Sequence, residues 1–219
     1  MAKPKIVLLV DIVSPFAYMA FYALQNLPVF KQCEIKYVPI FLGGVMKACG
    51  NTAPINIKNK DKWIETERLR WARLFDIPMA KSMPEGFPPL TINVQRALTA
   101  LSLSNPEALP DAISAFYKAF WQETKPIQRN ETILAALIPV IGEKDANNVI
   151  EMIGQKEVKD LLIKRSEEAV TTGTFGLPWF IATNKDGKTE SFWGFDHLGQ
   201  VTDYLGLERP SSGGWKAML

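Results

Sequence analysis

Ser14 has the clearest chemical potential in the chain: it stands with Pro15 directly behind an apolar run, KIVLLVD at Lys5 to Asp11. Serine is a favoured helix N-cap and proline is preorganised for the first helical position, so this pair marks a helix start. A hydroxyl there can cap the first turn, or it can donate a hydrogen bond to an anion drawn to the positive end of the helix. Cys33 and Cys49 lie in neither a C-x-x-C pair nor a four-ligand zinc pattern, and both are expected as free thiols. His197 is the single histidine, too few for most histidine-based metal sites, so no metal is expected. It follows Asp196 at the start of what reads as the last helix, where Asp196 could be an N-cap and His197 a surface residue. Asn51 lies in an irregular Gly-rich stretch and can be read as a turn residue; Lys60, just after Lys58, can be read as a solvated charge.

These residues need elements to position them. The run from Lys5 to Asp11 is rich in β-branched residues and suits a strand buried on both faces. Behind Ser14, the residues Ala17, Ala20, Phe21 and Leu24 fall on one helical stripe that can pack on a sheet. EIKYVP at Glu34 to Pro39 alternates as a second strand, completing a strand-helix-strand unit. From Asp61 to about Thr172 the periodicity is helical, in KWIETERLRWARLF, VQRALTALSL, DAISAFYKAFW, ETILAALIPVI and VKDLLIKRSEEAV, with breaks at Pro78, Pro106, Pro110, Pro126 and Gly142. After Gly173 short strands return at Trp179 to Thr183 and Thr189 to Trp193, joined by an NKDG turn at Asn184 to Gly187. A last helix from about Asp196 carries Leu198, Val201 and Leu205. The two sheet-bearing ends are each too small to bury a core alone, so they read as one domain split by a helical insertion.

The chain has 219 residues, 47% of them hydrophobic and 22% charged, the balance of a folded globular protein. Twenty-five basic and 23 acidic side chains are well mixed and leave a net charge of +2. That argues against a nucleic-acid partner, which demands a concentrated basic face. No apolar run reaches the roughly 18 residues of a spanning helix, and no secretory signal is read, so a soluble intracellular protein is expected. The terminal Ala217-Met218-Leu219 shares only its last residue with a peroxisomal address.

The order strand-helix-strand, helices, strand-strand-helix resembles the thioredoxin-like plan of DsbA-type oxidoreductases. The fold so implied is α/β, a thioredoxin-like domain with a large all-helical insertion, divided as 1–60 and 172–219 for the first and 61–171 for the second. Redox members open the first helix with C-x-x-C; here Ser14-Pro15-Phe16-Ala17 offers a hydroxyl first and a methyl last. Thiol-disulfide exchange needs an attacking thiolate and a resolving thiol, so it cannot run at this position. The stretches D-I-V-S-P-F-A-Y from Asp11, Gly50-Asn51, R-W-A-R-L-F-D-I-P from Arg70, F-G-L-P from Phe175 and W-G-F-D-H-L from Trp193 are similar to the kappa-class glutathione transferases and the 2-hydroxychromene-2-carboxylate isomerases, in order along nearly the whole chain.

That resemblance implies glutathione as substrate or cofactor, and Ser14, flanked by Pro15 and Phe16, as the residue whose hydroxyl holds its thiolate. Pro178 then matches the cis proline of thioredoxin folds, with the Leu177 backbone as the edge that pairs with the glutathione peptide. Asp196 would receive the γ-glutamyl ammonium. His197 stands where the family has arginine, whose permanent charge and bidentate fork it lacks. Asn51 and Lys60 match positions that hold the glycyl end. Met46, Trp71, Met83 and Trp179 could line a pocket for a small apolar electrophile or a hydroperoxide, or be core. The resemblance also implies a homodimer and admits a mitochondrial or peroxisomal location, with the cytoplasm left open. Three functions stay open: a transferase, a glutathione-dependent isomerase, and a noncatalytic glutathione- or peptide-binding fold.

Overall fold

The computed structural model describes residues 2–218; Leu219, the one residue shared with the peroxisomal address, lies outside them. Strand β1 (Lys5–Val10) leads into helix α1 (Pro15–Asn26), which crosses to β2 (Glu34–Pro39), parallel to β1 with Lys5 opposite Glu34. Helices α2 (Leu42–Ala48), α3 (Lys60–Leu74), α4 (Ile92–Ser104), α5 (Leu109–Tyr117), α6 (Asn130–Ile141), α7 (Glu143–Met152) and α8 (Lys156–Thr171) follow. Strands β3 (Trp179–Thr183) and β4 (Thr189–Trp193) and helix α9 (Leu198–Tyr204) come next, and a 3-10 turn at Gly213–Ala217 then packs Trp215 into the core. The sheet runs β2-β1-β3-β4, with β3 antiparallel to β1 and β4 antiparallel to β3. Both ends of the chain therefore build one sheet, as the sequence pattern predicts. The β3–β4 turn is closed by Asn184, whose Oδ1 accepts from the N–H groups of Asp186 and Lys188.

Side-chain alternation along the central strands divides the interior in two. Ile6, Leu8 and Val10 of β1, with Phe180 and Ala182 of β3, join a large core that also takes Phe21 and Leu24 of α1, Val94, Leu98 and Leu101 of α4, and Phe116 of α5. Leu9 and Trp179, pointing the other way, join Ala17, Ile40, Val45, Ala169 and Leu177 in a smaller one. The helices of residues 61–171 thus share the large core with the sheet.

Three elements depart from the sequence reading. Helix α7 was not separated from its neighbours, although Ala146 and Val149 give it a buried stripe. After α5 the chain widens into a π-helical turn, Lys118–Gln122, instead of continuing α-helical to Trp121. Helix α2 lies where an irregular stretch was expected, because Gly43 and Gly44 are poor helix formers. Tertiary contacts supply what its own sequence lacks. The Asp11 carboxylate accepts from Leu42 N at 2.8 Å, an acidic cap borrowed from another segment. The far end closes as a Schellman motif, with Gly50 at φ 64° and the Asn51 N–H donating to Met46 O.

Asp11 is fully buried and organises the start of α1 as well. Its other carboxylate oxygen accepts from Val13 N at 3.1 Å, and its carbonyl accepts from Ser14 N at 3.2 Å and the Tyr117 hydroxyl at 3.3 Å. Burial pushes the carboxyl up to about 6 against these donors and the Thr91 hydroxyl, which pull it down. The folded chain therefore keeps this proton at pH values where the unfolded chain has lost it, and stability falls as pH rises through that window. Asp11→Asn removes the titration. Between about pH 7.5 and about pH 4.5, the stability of wild type relative to Asp11→Asn should rise by about 2 kcal/mol, from some 1.5 units at about 1.4 kcal/mol each. Urea unfolding of both proteins across that range measures it; a constant difference would show that Asp11 stays ionised throughout.

Candidate functional site

Ser14 caps α1 as its sequence predicts, with extended backbone at φ −86° and ψ 117° and Pro15 at the first helical position. Its Oγ accepts from Ala17 N at 3.1 Å. A serine hydroxyl has two lone pairs and one proton. The cap uses a lone pair, and among the described residues the proton has no acceptor, so the group can cap and donate at once. Ser14 is only 6% exposed, and the orphan N–H groups of the first turn, with the helix dipole, favour an anion beside it.

The segment before β3 is tied to the end of α2. Asn51 Nδ2 donates to Phe175 O at 2.8 Å, and the Cys49 thiol donates to Thr174 O at 3.3 Å. Leu177–Pro178 is cis. The Leu177 side chain is buried with Ala17 and Val45 in the smaller core, which sets this segment against the first turn of α1 and against α2. Its N–H and C=O have no protein partner among the described residues, whereas Pro178 O accepts from Gly194 N at 3.1 Å. A short backbone edge is thus left open on a segment that shares the smaller core with the first turn of α1.

Asp196 and His197 sit in a 3-10 turn, Phe195–His197, that precedes α9, so the last helix starts at Leu198 and not at Asp196. Asp196 makes no side-chain cap bond, which removes the capping reading. The cause is Gly194, whose φ of 100° turns the chain before the helix; a Cβ there would collide with Asp196 Oδ1. Phe195 anchors the turn through edge contacts with Trp71 and Phe75. Asp196 is 44% exposed, and its Oδ1 lies 3.4 Å from His197 Nδ1 without forming a hydrogen bond. Lys60 begins α3 as an exposed charge, touching none of the other candidate residues through a hydrogen bond or ion pair.

The residues considered for an apolar pocket do not converge. Trp71 and Met83 pack against the large core, and Trp179 belongs to the smaller one. Met83 also lines a cleft of about 310 Å³ with Ile55, Lys62 and Phe87. An exposed aromatic pair was missed: Phe175 and Trp193 are 38% and 47% exposed, with ring centroids 4.9 Å apart. Both lie in quoted motifs, yet nothing in their spacing signals that an edge strand and a loop bring them together. Asp11 was missed too, and it had a signal: a lone carboxylate ending an otherwise apolar strand. No group of three His, Cys, Asp or Glu able to hold a metal occurs among the described residues, and no helix there is long and apolar enough to cross a membrane.

Comparison with known proteins fits this geometry. The chain is 26% identical over 217 residues to glutathione S-transferase kappa 1 of Caenorhabditis elegans, covering 94% of this chain and 93% of that one. It is 28% identical over 198 residues to 2-hydroxychromene-2-carboxylate isomerase of Sphingobium xenophagum, covering 89% and 94%. A solved 2-hydroxychromene-2-carboxylate isomerase has the same fold, with a TM-score of 0.76 at 23% identity over 92% of this chain and 94% of that one. The family model for a DSBA-like thioredoxin domain matches residues 5–206. With its split sheet, its helical middle segment and Ser14 at the head of α1, the chain belongs to the DSBA-like thioredoxin family.

Proposed function

We propose that this chain is a glutathione transferase of the kappa type, binding glutathione along the Leu177 edge and using Ser14 to hold its thiol as a thiolate. The observation that carries the reading is the Ser14 hydroxyl, which caps α1 with a lone pair and keeps its proton for a partner. Bound glutathione supplies the nucleophilic sulfur. Ser14 donates to that sulfur, and the positive end of α1 favours the anion, so the thiol pKa falls toward neutrality. The sulfur then attacks a small apolar electrophile and displaces its leaving group, or attacks the outer oxygen of a hydroperoxide. In the second case the O–O bond breaks to release an alcohol, which takes its proton from water, and a glutathione sulfenic acid that a second glutathione converts to the disulfide and water. Ser14 stays uncharged and forms no covalent bond.

The other residues bind and orient. The unpaired N–H and C=O of Leu177, next to Pro178, suit a peptide backbone laid alongside as an added strand edge. Asp196, accessible and not engaged as a cap, suits the γ-glutamyl ammonium, with His197 beside it for a carboxylate. Pro15 and Phe16 form the first turn under the sulfur; Asn51, and Lys60 further along the chain, would meet the glycyl end. A homodimer belongs to the same proposal. Named glutathione transferases among the relatives support glutathione as the substrate.

The isomerase reading has support as well: named isomerases are matched at 26% to 28% identity, within the 26% to 29% of the named transferases. Both need the same thiolate. In the isomerase it adds to a chromene-type carboxylate and leaves again, so glutathione is not consumed. Turnover of a generic aryl halide, with loss of free thiol, supports the transferase; conversion of a chromene carboxylate at constant thiol replaces it with the isomerase.

Ser14 can be tested apart from its capping role. Ser14→Ala removes cap and donor; Ser14→Gly removes the donor but remains a tolerable cap, at a cost of a few tenths of a kcal/mol. Both variants should bind glutathione with a thiol pKa raised by about one to two units, worth about 1.4 to 2.7 kcal/mol. They should lose turnover at neutral pH and regain it as pH rises. Thiolate absorbance against pH, on proteins of matched melting temperature, measures this. A folded Ser14→Gly with unchanged thiol pKa and activity leaves only a binding module.

Asp196→Ala should weaken glutathione binding by about 1.5 kcal/mol, the low end for a charged hydrogen bond because the carboxylate is well solvated. Because Asp196 caps nothing, the melting temperature should not change. Calorimetry reads both quantities, and undiminished affinity would remove Asp196 from the site.

A further inference from the structure

Helices α2, α4 and α8 leave a cavity of about 440 Å³ between them, within the size range of small-molecule sites. Phe41, Ala48, Ile92 and Leu162 give it an apolar wall, and Arg96, Lys159 and Glu167 its charges. The space exists because α2 presents Gly44 and Ala48 one turn apart, and the Phe41 ring folds so close that a Cβ on Gly44 would lie 3.2 Å from it. Phe41 is itself fixed, its N–H donating to Ser166 Oγ at 2.9 Å, and that hydroxyl in turn donating to Leu162 O at 2.8 Å. The wall is therefore formed before any ligand arrives. None of its lining residues belongs to the Ser14 site.

Arg96 points to the occupant. Its Nε is closed off from water and has no hydrogen-bond partner, and the guanidinium forms no hydrogen bond or ion pair with any described residue. Other half-buried or buried arginines have their terminal nitrogens held: Arg68, whose Nε is likewise without a partner, by the carbonyls of Ala80 and Lys81, Arg165 by Ser102, and Arg209 by the carbonyls of Trp215 and Met218. A guanidinium is always charged and offers only donors, so against an apolar wall it calls for an anionic acceptor. On α8, Lys156 pairs with Asp160 and Lys164 with Glu168, while the half-buried Lys159 has no carboxylate partner among the described residues. Arg96 and Lys159 against Glu167 leave one net positive charge in the lining.

We propose that this cavity is a second ligand site, for a monocarboxylate with an apolar body, its carboxylate on Arg96 and its chain against Phe41, Ile92 and Leu162. One net positive charge matches one carboxylate, and the apolar wall matches a hydrocarbon.

Decanoate is the probe, titrated by calorimetry into the full chain, with decanol as the uncharged control. One decanoate should bind per chain; Arg96→Met should weaken it at least about tenfold, the scale of a charged hydrogen bond, and leave weak decanol binding unchanged. Ala48→Phe, which fills the cavity, should abolish decanoate binding, and Ser14→Ala should bind it as wild type does. If Arg96→Met does not fold by circular dichroism, Lys159→Met carries the charge test, with a smaller loss expected. Absence of decanoate binding, binding unmoved by both the charge and the filling variants, or binding lost in Ser14→Ala would overturn the proposal. So would sedimentation showing that Ala48→Phe splits a dimer whose wild-type form takes up no decanoate, since the face is then a contact between copies.

Discussion

The carboxylate of Asp11 accepts from Val13, in the turn before α1, and from Leu42, the first residue of α2, and the geometry around Ser14 follows from that pair of bonds. One bond fixes the turn between β1 and α1. The other supplies α2 with the cap its own sequence lacks, and α2 ends at the Asn51 side chain that holds Phe175 O. A single buried acid thereby connects the head of α1 to the segment carrying Leu177 and Pro178. Such burial is unfavourable for a charge and raises the carboxyl to about 6. Without the carboxylate, the N–H groups of Val13 in the turn and of Leu42 at the start of α2 would lose their acceptor.

Around this junction Ser14 stands where redox members of the fold carry a cysteine. A thioredoxin-like fold sets its reactive group at the positive end of a helix, where an anion is favoured. With a cysteine there, the anion is the protein's own. With Ser14 there, the hydroxyl cannot ionise near neutral pH, and under the proposed function the same helix end stabilises an anion brought from outside. Neither Cys33 nor Cys49 compensates: Cys33 is buried, with its thiol pushed up by desolvation, and Cys49 donates to Thr174 O.

Helix α2 is short and Gly-rich, yet it has two working sides. Val45 packs into the smaller core with Ala17 and Leu177. Gly44 and Ala48 open the cavity toward α4 and α8, where Arg96 stands without an acceptor. The small residues that weaken the helix as a helix are the ones that leave room for a ligand.

The sequence by itself determined the strands and the start of α1. Alternation of polar and apolar residues specifies β2, short strand runs on either side of the NKDG turn specify β3 and β4, and Ser14-Pro15 specifies a cap through its own local chemistry. It determined the shared sheet as well, because neither end can bury a core alone. Only the tertiary structure decided what depends on residues far apart in the chain. Helix α2 exists because Asp11, 31 positions away, accepts from its first N–H. Asp196 is not a cap because Gly194 turns the backbone before the helix begins. Phe175 meets Trp193, and Arg96 faces an apolar cavity, through packing that carries no local sequence signal. Local rules read hydrogen bonds within a turn; cavities, borrowed caps and unpaired charges appear only when distant segments close on one another.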